Sequence, residues 1–292
     1  MFVVMGSTGH VGSAVAETLL GSGSPVIAVV RDEAKADRLR VQGAKVEIAD
    51  VGDTEKMRAV FRMGQRAFLL NPPAPVSTDT DEVEHRSIRK ILAALDGCRL
   101  EKVVLESAYG AQPGDRIGDL SVLYDFEQAL GNQPIPATIL RAAYYMTNWD
   151  PLLDAAKSGI LPTMLPADLR VPMVAPQDLG RAAARLLMAP PGHNDIHYVE
   201  GPARYSSGDV ARAFSKALGK PVRLNVLSRE TWHDAYHRQG FSPAAAGSYA
   251  RMTAVSIDRG FELPQNPKRG TVPAGLRVTV IARKHRLNLD PS

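Results

Sequence analysis

The residues best suited to chemistry lie at the start of the chain. Gly6-Ser7-Thr8-Gly9-His10-Val11-Gly12 sets three glycines at intervals of three. An apolar run over 2–5 precedes this loop and an amphipathic stretch over 11–20 follows it, as in a strand–loop–helix unit. In that setting Gly6 permits a tight turn, Gly9 lets the backbone approach a pyrophosphate, and Gly12 permits close helix–strand packing. The free N–H groups at the helix start then face the anion. The position, more than the glycines themselves, predicts dinucleotide binding. Arg31 ends the next apolar run, nineteen residues beyond Gly12. An acidic residue there would hydrogen-bond the ribose 2′-OH of NAD, whereas an arginine pairs with a 2′-phosphate and stacks on adenine. Asp32 follows at once and keeps the first option open, but Arg31 together with Lys35 favours NADP(H). Asp50, at the end of the third apolar run, would accept a hydrogen bond from the adenine amino group or cap the turn at Thr54.

These residues need a scaffold that brings strand ends together. Strands are expected over 2–5, 26–30, 45–49, 67–70 and 102–105, and helices over 11–20, 33–42, 54–61 and 81–95. Val11, Ala14, Val15, Thr18 and Leu19 fall near one helical face. The run Gly21-Ser22-Gly23-Ser24-Pro25 stops that helix. Strands too apolar to alternate are buried on both sides, which implies a parallel sheet between two helical layers. Right-handed crossovers then give an α/β, doubly wound, Rossmann-type fold. The stretch 137–141 continues the sheet, 162–175 reads as Pro-rich and irregular, and 177–188 and 206–218 read as helices. The expected organisation is a cofactor-binding domain over 1–150, its sheet completed by parts of 170–200. Residues 151–292 would form mainly a smaller α/β substrate lobe and a C-terminal segment, in which β-branched Val278, Thr279, Val280 and Ile281 favour a strand.

Composition narrows the function classes. With 292 residues, 45% hydrophobic and 23% charged, the chain suits one large domain or a main domain with an appendage. The net charge of +4 is uneven: the segment from Pro264 carries +5 and the rest carries −1. That segment has no recognition-helix signature or interleaved aromatics, so no specific nucleic-acid partner is expected. The single cysteine, Cys98, leaves no internal disulfide and no multi-cysteine metal site, and reads as a small buried hydrophobe. No apolar stretch approaches the ~20 residues that span a bilayer. No basic leader precedes the first strand, so a cytoplasmic protein without membrane attachment is expected. His233 and His237 share a helix face, but Asp234 replaces the glutamate of a zinc-protease motif and no third ligand is evident. His193 and His197 sit around a turn, and Ser107 lacks a neighbouring histidine elbow. No metal and no hydrolase chemistry are expected.

The segment GSTGHVG followed by VIAVVRD resembles the NmrA-like group of atypical short-chain dehydrogenases, where G-x-x-G-x-x-G replaces G-x-G-x-x-G. ATILRAAYYMTNW, VAPQDLGRAAARLL and HYVEGPARYSSGDVARAFSKALGKPV are similar to successive family segments in the same order, so the likeness spans about residues 1–225. Beyond it, GTVPAGLRVTVIARKHR resembles a degenerate form of a common terminal helix. The resemblance implies NADP(H) as cofactor. Family members include NADPH-dependent quinone, azo-dye and triphenylmethane-dye reductases, and also non-catalytic NADP(H) sensors. By position it implies contacts from Thr8, Gly9, His10 and Val11 to the pyrophosphate and from Arg31 to the 2′-phosphate. Leu70-Asn71-Pro72 and Ser107-Ala108 would line the nicotinamide ribose.

The wider superfamily typically uses a tyrosine with a lysine four residues later, which lowers the phenol pKa. None of the eight tyrosines here has a lysine at that spacing. Many atypical relatives instead place a lysine about four residues before a glutamate in the segment corresponding to LSVLYDFEQAL. Leu123 occupies that offset from Glu127 in this chain, with Tyr124 beside it. Hydride addition to a quinone or azo bond asks less of the protein, because the acceptor is already electrophilic and solvent can supply the proton. Positioning then provides most of the acceleration. Tyr144, Tyr145, Met146 and Trp149 offer a platform for a flat acceptor, with Trp232, Tyr236 and Phe241 closing it from the small lobe; the same stripe would serve equally as core. Tyr109 is the phenol expected to face the nicotinamide and is the candidate catalytic residue. The expected function is an NADPH-dependent oxidoreductase passing hydride to a small electrophilic aromatic substrate such as a quinone or azo compound, as monomer or homodimer. The alternative is a catalytically silent NADP(H)-binding sensor.

Overall fold

All five residues of Val26–Val30 are buried, which a strand achieves only between two covering layers. The computed structural model describes residues 1–191, 195–259 and 269–271. The strands begin with β1 (Phe2–Val4), β2 (Val26–Val30), β3 (Lys45–Ile48), β4 (Arg66–Leu69), β5 (Lys102–Ala108) and β6 (Ala137–Ala142). They continue with β7 (Tyr144–Tyr145), β8 (Ile160–Thr163), β9 (Val171–Val174), β10 (Ile196–Glu200), β11 (Arg204–Tyr205), β12 (Arg223–Val226) and β13 (Arg269–Thr271). The helices are α1 (His10–Gly21), α2 (Asp37–Val41), α3 (Thr54–Arg62), α4 (Thr80–Leu95) and α5 (Asp119–Gly131). They are followed by α6 (Leu153–Lys157), α7 (Pro176–Met188), α8 (Ser207–Leu218), α9 (Trp232–Arg238) and α10 (Pro243–Asp258).

Eight strands form the main sheet in the order β13-β10-β6-β5-β4-β1-β2-β3, and every pairing in it is parallel. The chain winds outward from β1 to β3 and then returns to β4 beside β1. That reversal opens a crevice above the carboxyl ends of β1 and β4. Alternate strand residues feed two cores. Val4, Ala28, Phe68 and Leu140 pack with Val15 and Leu19 of α1 and Leu179 and Leu187 of α7. Val3, Ile27, Leu69 and Leu105 pack with Phe61 of α3, Ile91 of α4 and Phe126 of α5. A third core joins Met146, Trp149, Leu161, Met173, Val210 and Phe214 beneath the small sheets β11-β9-β7 and β12-β8.

Cations close the amino end of the main sheet. Arg66 Nη1 donates to the carbonyls of Leu187 at 2.6 Å and Ala189 at 2.9 Å. Lys102 Nζ donates to those of Leu186 at 2.7 Å and Pro190 at 3.3 Å. Both satisfy carbonyls that the end of α7 leaves open, where positive charge is favoured.

Two stretches differ from the sequence expectation. The helix expected over 33–42 is a 3-10 turn over Glu33–Lys35 followed by the five-residue α2. Only Ala36 and Leu39 of it are buried, so there is little apolar face to extend a helix. The irregular stretch expected over 162–175 contains the end of β8 and all of β9. Pro162 sits in a strand paired on one side only, opposite Asn225 of β12, where a missing N–H is tolerated. His193 and the segment 277–281, with its competing strand and helix expectations, lie outside the described residues.

Candidate functional site

The glycine loop is built by close approach. Gly6 has φ +61° and lies against Leu70: a Cβ there would sit 2.6 Å from Leu70 Cδ2. At Gly12 a Cβ would sit 2.2 Å from the Gly6 carbonyl oxygen and 2.7 Å from that of Met5. Only glycine lets α1 pack this tightly on the turn. The loop is pinned by Gly9 N–H donating to Gly6 O at 2.8 Å and by the buried Ser7 hydroxyl donating to Val4 O at 2.7 Å. Helix α1 begins with no acidic residue in its first turn and no side-chain cap on its amides. Thr8, Gly9 and His10 are exposed, whereas the side chain of Val11 enters the core. Only the backbone of Val11 therefore faces outward.

Beyond β2, Arg31 and Lys35 are exposed. The carboxylate of Asp32 accepts the N–H of Ala34 at 3.0 Å and starts the 3-10 turn. Asp50 accepts the N–H of Gly52 at 2.7 Å, and the helix at Thr54 is capped by Asp53 through Lys56 N–H at 3.0 Å. The expected cap on Thr54 thus belongs to Asp53, because the chain makes a tight turn at Asp50 before the helix begins.

At the ends of β4 and β5, Leu70 faces the glycine loop and Asn71 keeps a buried Oδ1 with no hydrogen-bond partner, with Pro72 next to it. Ser107 is buried, and its hydroxyl donates to Glu127 at 2.5 Å. Glu127 in turn takes Arg141 Nε at 2.9 Å and Nη2 at 2.6 Å, and Arg141 Nη1 donates to the Tyr198 hydroxyl at 3.1 Å. Ala108 closes β5 beside this network. Tyr109 is 3% exposed, and its phenol donates to Glu200 of β10 at 3.3 Å. Since β10 lies beyond β6 from β5, that phenol points away from Leu70 and Asn71.

The aromatic platform divides in two. Met146 and Trp149 are buried in the third core. Trp232 is also buried, its Nε1 donating to Leu227 O at 3.0 Å. These three build the lobe. Tyr144 and Tyr145 are half-buried, and Tyr144 meets the edge of Trp149 at 6.1 Å between ring centroids. Burial pushes the Tyr144 phenol up to about 12, with Tyr236 adding to the rise. Opposite, Tyr236, Phe241 and Tyr249 form a cluster with centroids 5.0, 5.1 and 5.9 Å apart.

Three carboxyls at this end escaped the sequence reading. Glu84 is buried and accepts the N–H of Ala74 at 3.0 Å. Burial, with help from Asp119, pushes its carboxyl up to about 7. Glu106 receives the Tyr145 hydroxyl, keeps its Oε2 buried without a partner, and is pushed up to about 7 by burial. Asp119, at the start of α5, is raised by burial as well. Its charge contributes to raising Tyr145, Tyr236 and Tyr249 beyond the effect of their own burial. One signal was available: Glu84 falls on the stripe Ile88, Ile91, Leu95 of α4, where an acid is out of place. Glu106 likewise interrupts an apolar strand.

Among the described residues no group of three or more His, Cys, Asp or Glu is placed to hold a metal ion, and no helix is long and apolar enough to cross a membrane. Residues 1–239 match the NmrA-like family. An NAD(P)H azoreductase from Xenophilus azovorans is 25% identical over 256 residues, covering 88% of this chain and 87% of its own. Quinone oxidoreductase 2 of Escherichia coli (strain K12) is 24% identical over 254 residues, covering 86% of each chain. The crystal structure of the Citrobacter triphenylmethane reductase complexed with NADP(H) superposes with a TM-score of 0.80 at 22% identity, covering 97% of this chain and 99% of that one.

Proposed function

The chain belongs to the NmrA-like family, and from that premise we propose an NADPH-dependent reductase that delivers hydride to an electrophilic aromatic acceptor such as a quinone or azo compound. The observation that carries the reading is the open start of α1: first-turn amides without an acid or a cap, on a loop whose Gly12 leaves no room for a Cβ. The backbone from Thr8 to Val11 would hold the pyrophosphate, and the exposed Arg31 and Lys35 the 2′-phosphate. Asp32 spends its carboxylate on a turn, which favours NADP(H) over NAD in this reading. Leu70, Asn71, Pro72 and the β5 end at Ser107-Ala108 would flank the nicotinamide ribose, with Asn71 Oδ1 as a waiting acceptor.

When bound, the cofactor supplies the hydride. The protein's part is to hold the acceptor and keep water from the transfer path, for which Tyr144, Tyr145, Tyr236 and Phe241 are placed. Residues 1–150 serve the cofactor and the lobe within 151–292 chooses the acceptor. Tyr109 takes no acid–base part, because its phenol is directed to Glu200, and Ser107 is spent on Glu127. Solvent supplies the proton where a quinone or azo bond needs one.

The decay of NADPH absorbance with a panel of quinones and azo compounds tests this, with turnover as the expected result. Tight NADPH binding without turnover on any of them would favour the silent sensor, the reading consistent with the missing Tyr–Lys pair. Arg31→Ala should weaken NADPH binding by about 10- to 100-fold and NADH binding by less than about twofold. Equal losses would remove Arg31 from the 2′-phosphate site.

A further inference from the structure

Gln177 has no part in the site described so far, yet its Oε1 is buried without a hydrogen-bond partner. A buried acceptor left open is costly, and in a native fold it calls for a reason. Helix capping supplies none, because Gln177 follows Pro176 inside the first turn of α7, and that helix start has no side-chain cap. Two registers fix where the residue stands. Gly180 lies against α1: a Cβ there would sit 2.5 Å from Ala14 Cβ and 2.8 Å from the Val11 carbonyl oxygen. At the other end of the pair, Ser22 Oγ donates to Met188 Sδ at 3.4 Å. The two helices therefore run side by side in one direction. Gln177, about one turn before Gly180, shares its face and comes level with the exposed start of α1 at Gly9 and His10. On the other side, β9 pairs with β7 so that Val174, shortly before Gln177, lies opposite Tyr145.

The start of α7 thus borders the crevice between the glycine loop and β7. Leu70 and Tyr145 pack against the same core as Val11 and Leu179, which ties the ends of β4 and β7 to these two helices. Asn71 Oδ1, at the end of β4, is a second buried acceptor without a partner. Two open acceptors need a ligand that brings two donors. A pyrophosphate carries none at neutral pH, whereas the nicotinamide half of the cofactor offers ribose hydroxyls and a carboxamide NH2 group. We propose that Gln177 is a positioning residue that takes this carboxamide and leaves the ribose hydroxyls to Asn71. An amide answers an amide, with an N–H and a carbonyl on each side. The identity of the ligand rests on the NADP(H) reading; turnover is not required, and a silent sensor would use the same contact. A ring held by its carboxamide cannot turn about its bond to the ribose, so a single face is offered to an acceptor.

Calorimetry on the full chain with three ligands tests this: NADP+, its 3-acetylpyridine analogue, in which a methyl replaces the carboxamide NH2, and 2′,5′-ADP, which lacks the nicotinamide half. The unaltered chain should bind NADP+ at least about threefold tighter than the analogue. Gln177→Leu keeps most of the side-chain volume and removes the amide. It should weaken NADP+ by about 3- to 12-fold, bring NADP+ and the analogue within about twofold of each other, and leave 2′,5′-ADP within about twofold. Circular dichroism reports the fold, and Gln177→Met takes the place of the leucine variant should that chain not fold. NADP+ bound equally by the unaltered and variant chains overturns the proposal. So does an equal loss of NADP+ and 2′,5′-ADP, which would show that the substitution disturbs the glycine loop through α1. A chain that binds 2′,5′-ADP and NADP+ but ignores Gln177 keeps the NADP(H) reading and loses only this contact. A chain that binds none of the three loses both.

Discussion

Glu106 and Ser107 are neighbours on β5 and point to opposite faces of the sheet, yet their surroundings differ in kind. On one face Ser107 and Arg141 satisfy both oxygens of Glu127, while Arg141 also donates to the Tyr198 hydroxyl and sits 5.8 Å from that ring's centroid. Burial alone would lower the Arg141 guanidinium, but its bonds to Glu127 outweigh that and hold it above its ordinary value. On the other face Glu106 has one phenol and an oxygen with nothing. The difference is one of partners. A carboxylate that ties β5, β6, β10 and α5 together is closed by protein groups. One left short of partners costs stability when it is charged.

Breaking the closed side should have the largest effect. Arg141→Ala leaves Glu127 buried beside a serine hydroxyl with no counter-ion, which costs about 3–5 kcal/mol. Urea denaturation of the folded chain would show it as a midpoint shift with an unchanged slope. A loss below about 1 kcal/mol would mean that Glu127 is solvated or protonated, and the contrast between the faces would lapse.

The carboxyls without a counter-ion, one on each face, should respond in the opposite direction. Glu84 and Glu106 are raised from 4.5 to about 7, so between those pH values the folded chain holds protons that the unfolded chain has released. Their contribution to stability is fully present below about pH 4.5 and is lost as pH rises through 7, by on the order of 3 kcal/mol per carboxyl. Glu84→Gln and Glu106→Gln should each flatten that slope. Each variant should melt higher than the unaltered chain near pH 8 and at nearly the same temperature near pH 5. A glutamine variant that melts lower near pH 8 would show that its carboxylate is already paired.

The closed and open networks were not equally legible in the sequence. The sheet was, because apolar strands alternating with helices leave few alternatives, and the glycine loop was, because its place at the end of β1 is itself the signal. The pairing of Glu127 with Arg141 was not: a ladder partner across β5 and β6 has no fixed spacing along the chain. Tyr109 was expected to face the nicotinamide because it lies just past a strand end. The backbone instead bonds Tyr109 N–H to Ala142 O at 2.9 Å and carries the ring toward Tyr198, edge-on at 5.1 Å. Glu84, Glu106 and Asp119 come from three elements that only the fold brings together, though an acid on the apolar stripe of α4 was visible in the spacing.

The smallest expected effect comes from the far end of the sheet, where two cations share the carbonyls at the end of one helix. Lys102 is 3% exposed, and burial, with Arg66 next to it, holds its ammonium below the usual range. Lys102→Met keeps most of the side-chain volume but leaves the carbonyls of Leu186 and Pro190 short of a donor. Removing the desolvation of a buried cation offsets part of that loss, so the net cost should be about 1–2 kcal/mol, read as a few degrees of melting temperature. Arg66 still clamps the neighbouring carbonyls of Leu187 and Ala189, so α7 should stay in place. A loss above about 3 kcal/mol would show that Lys102, and not the pair of cations, holds the end of α7 against the sheet.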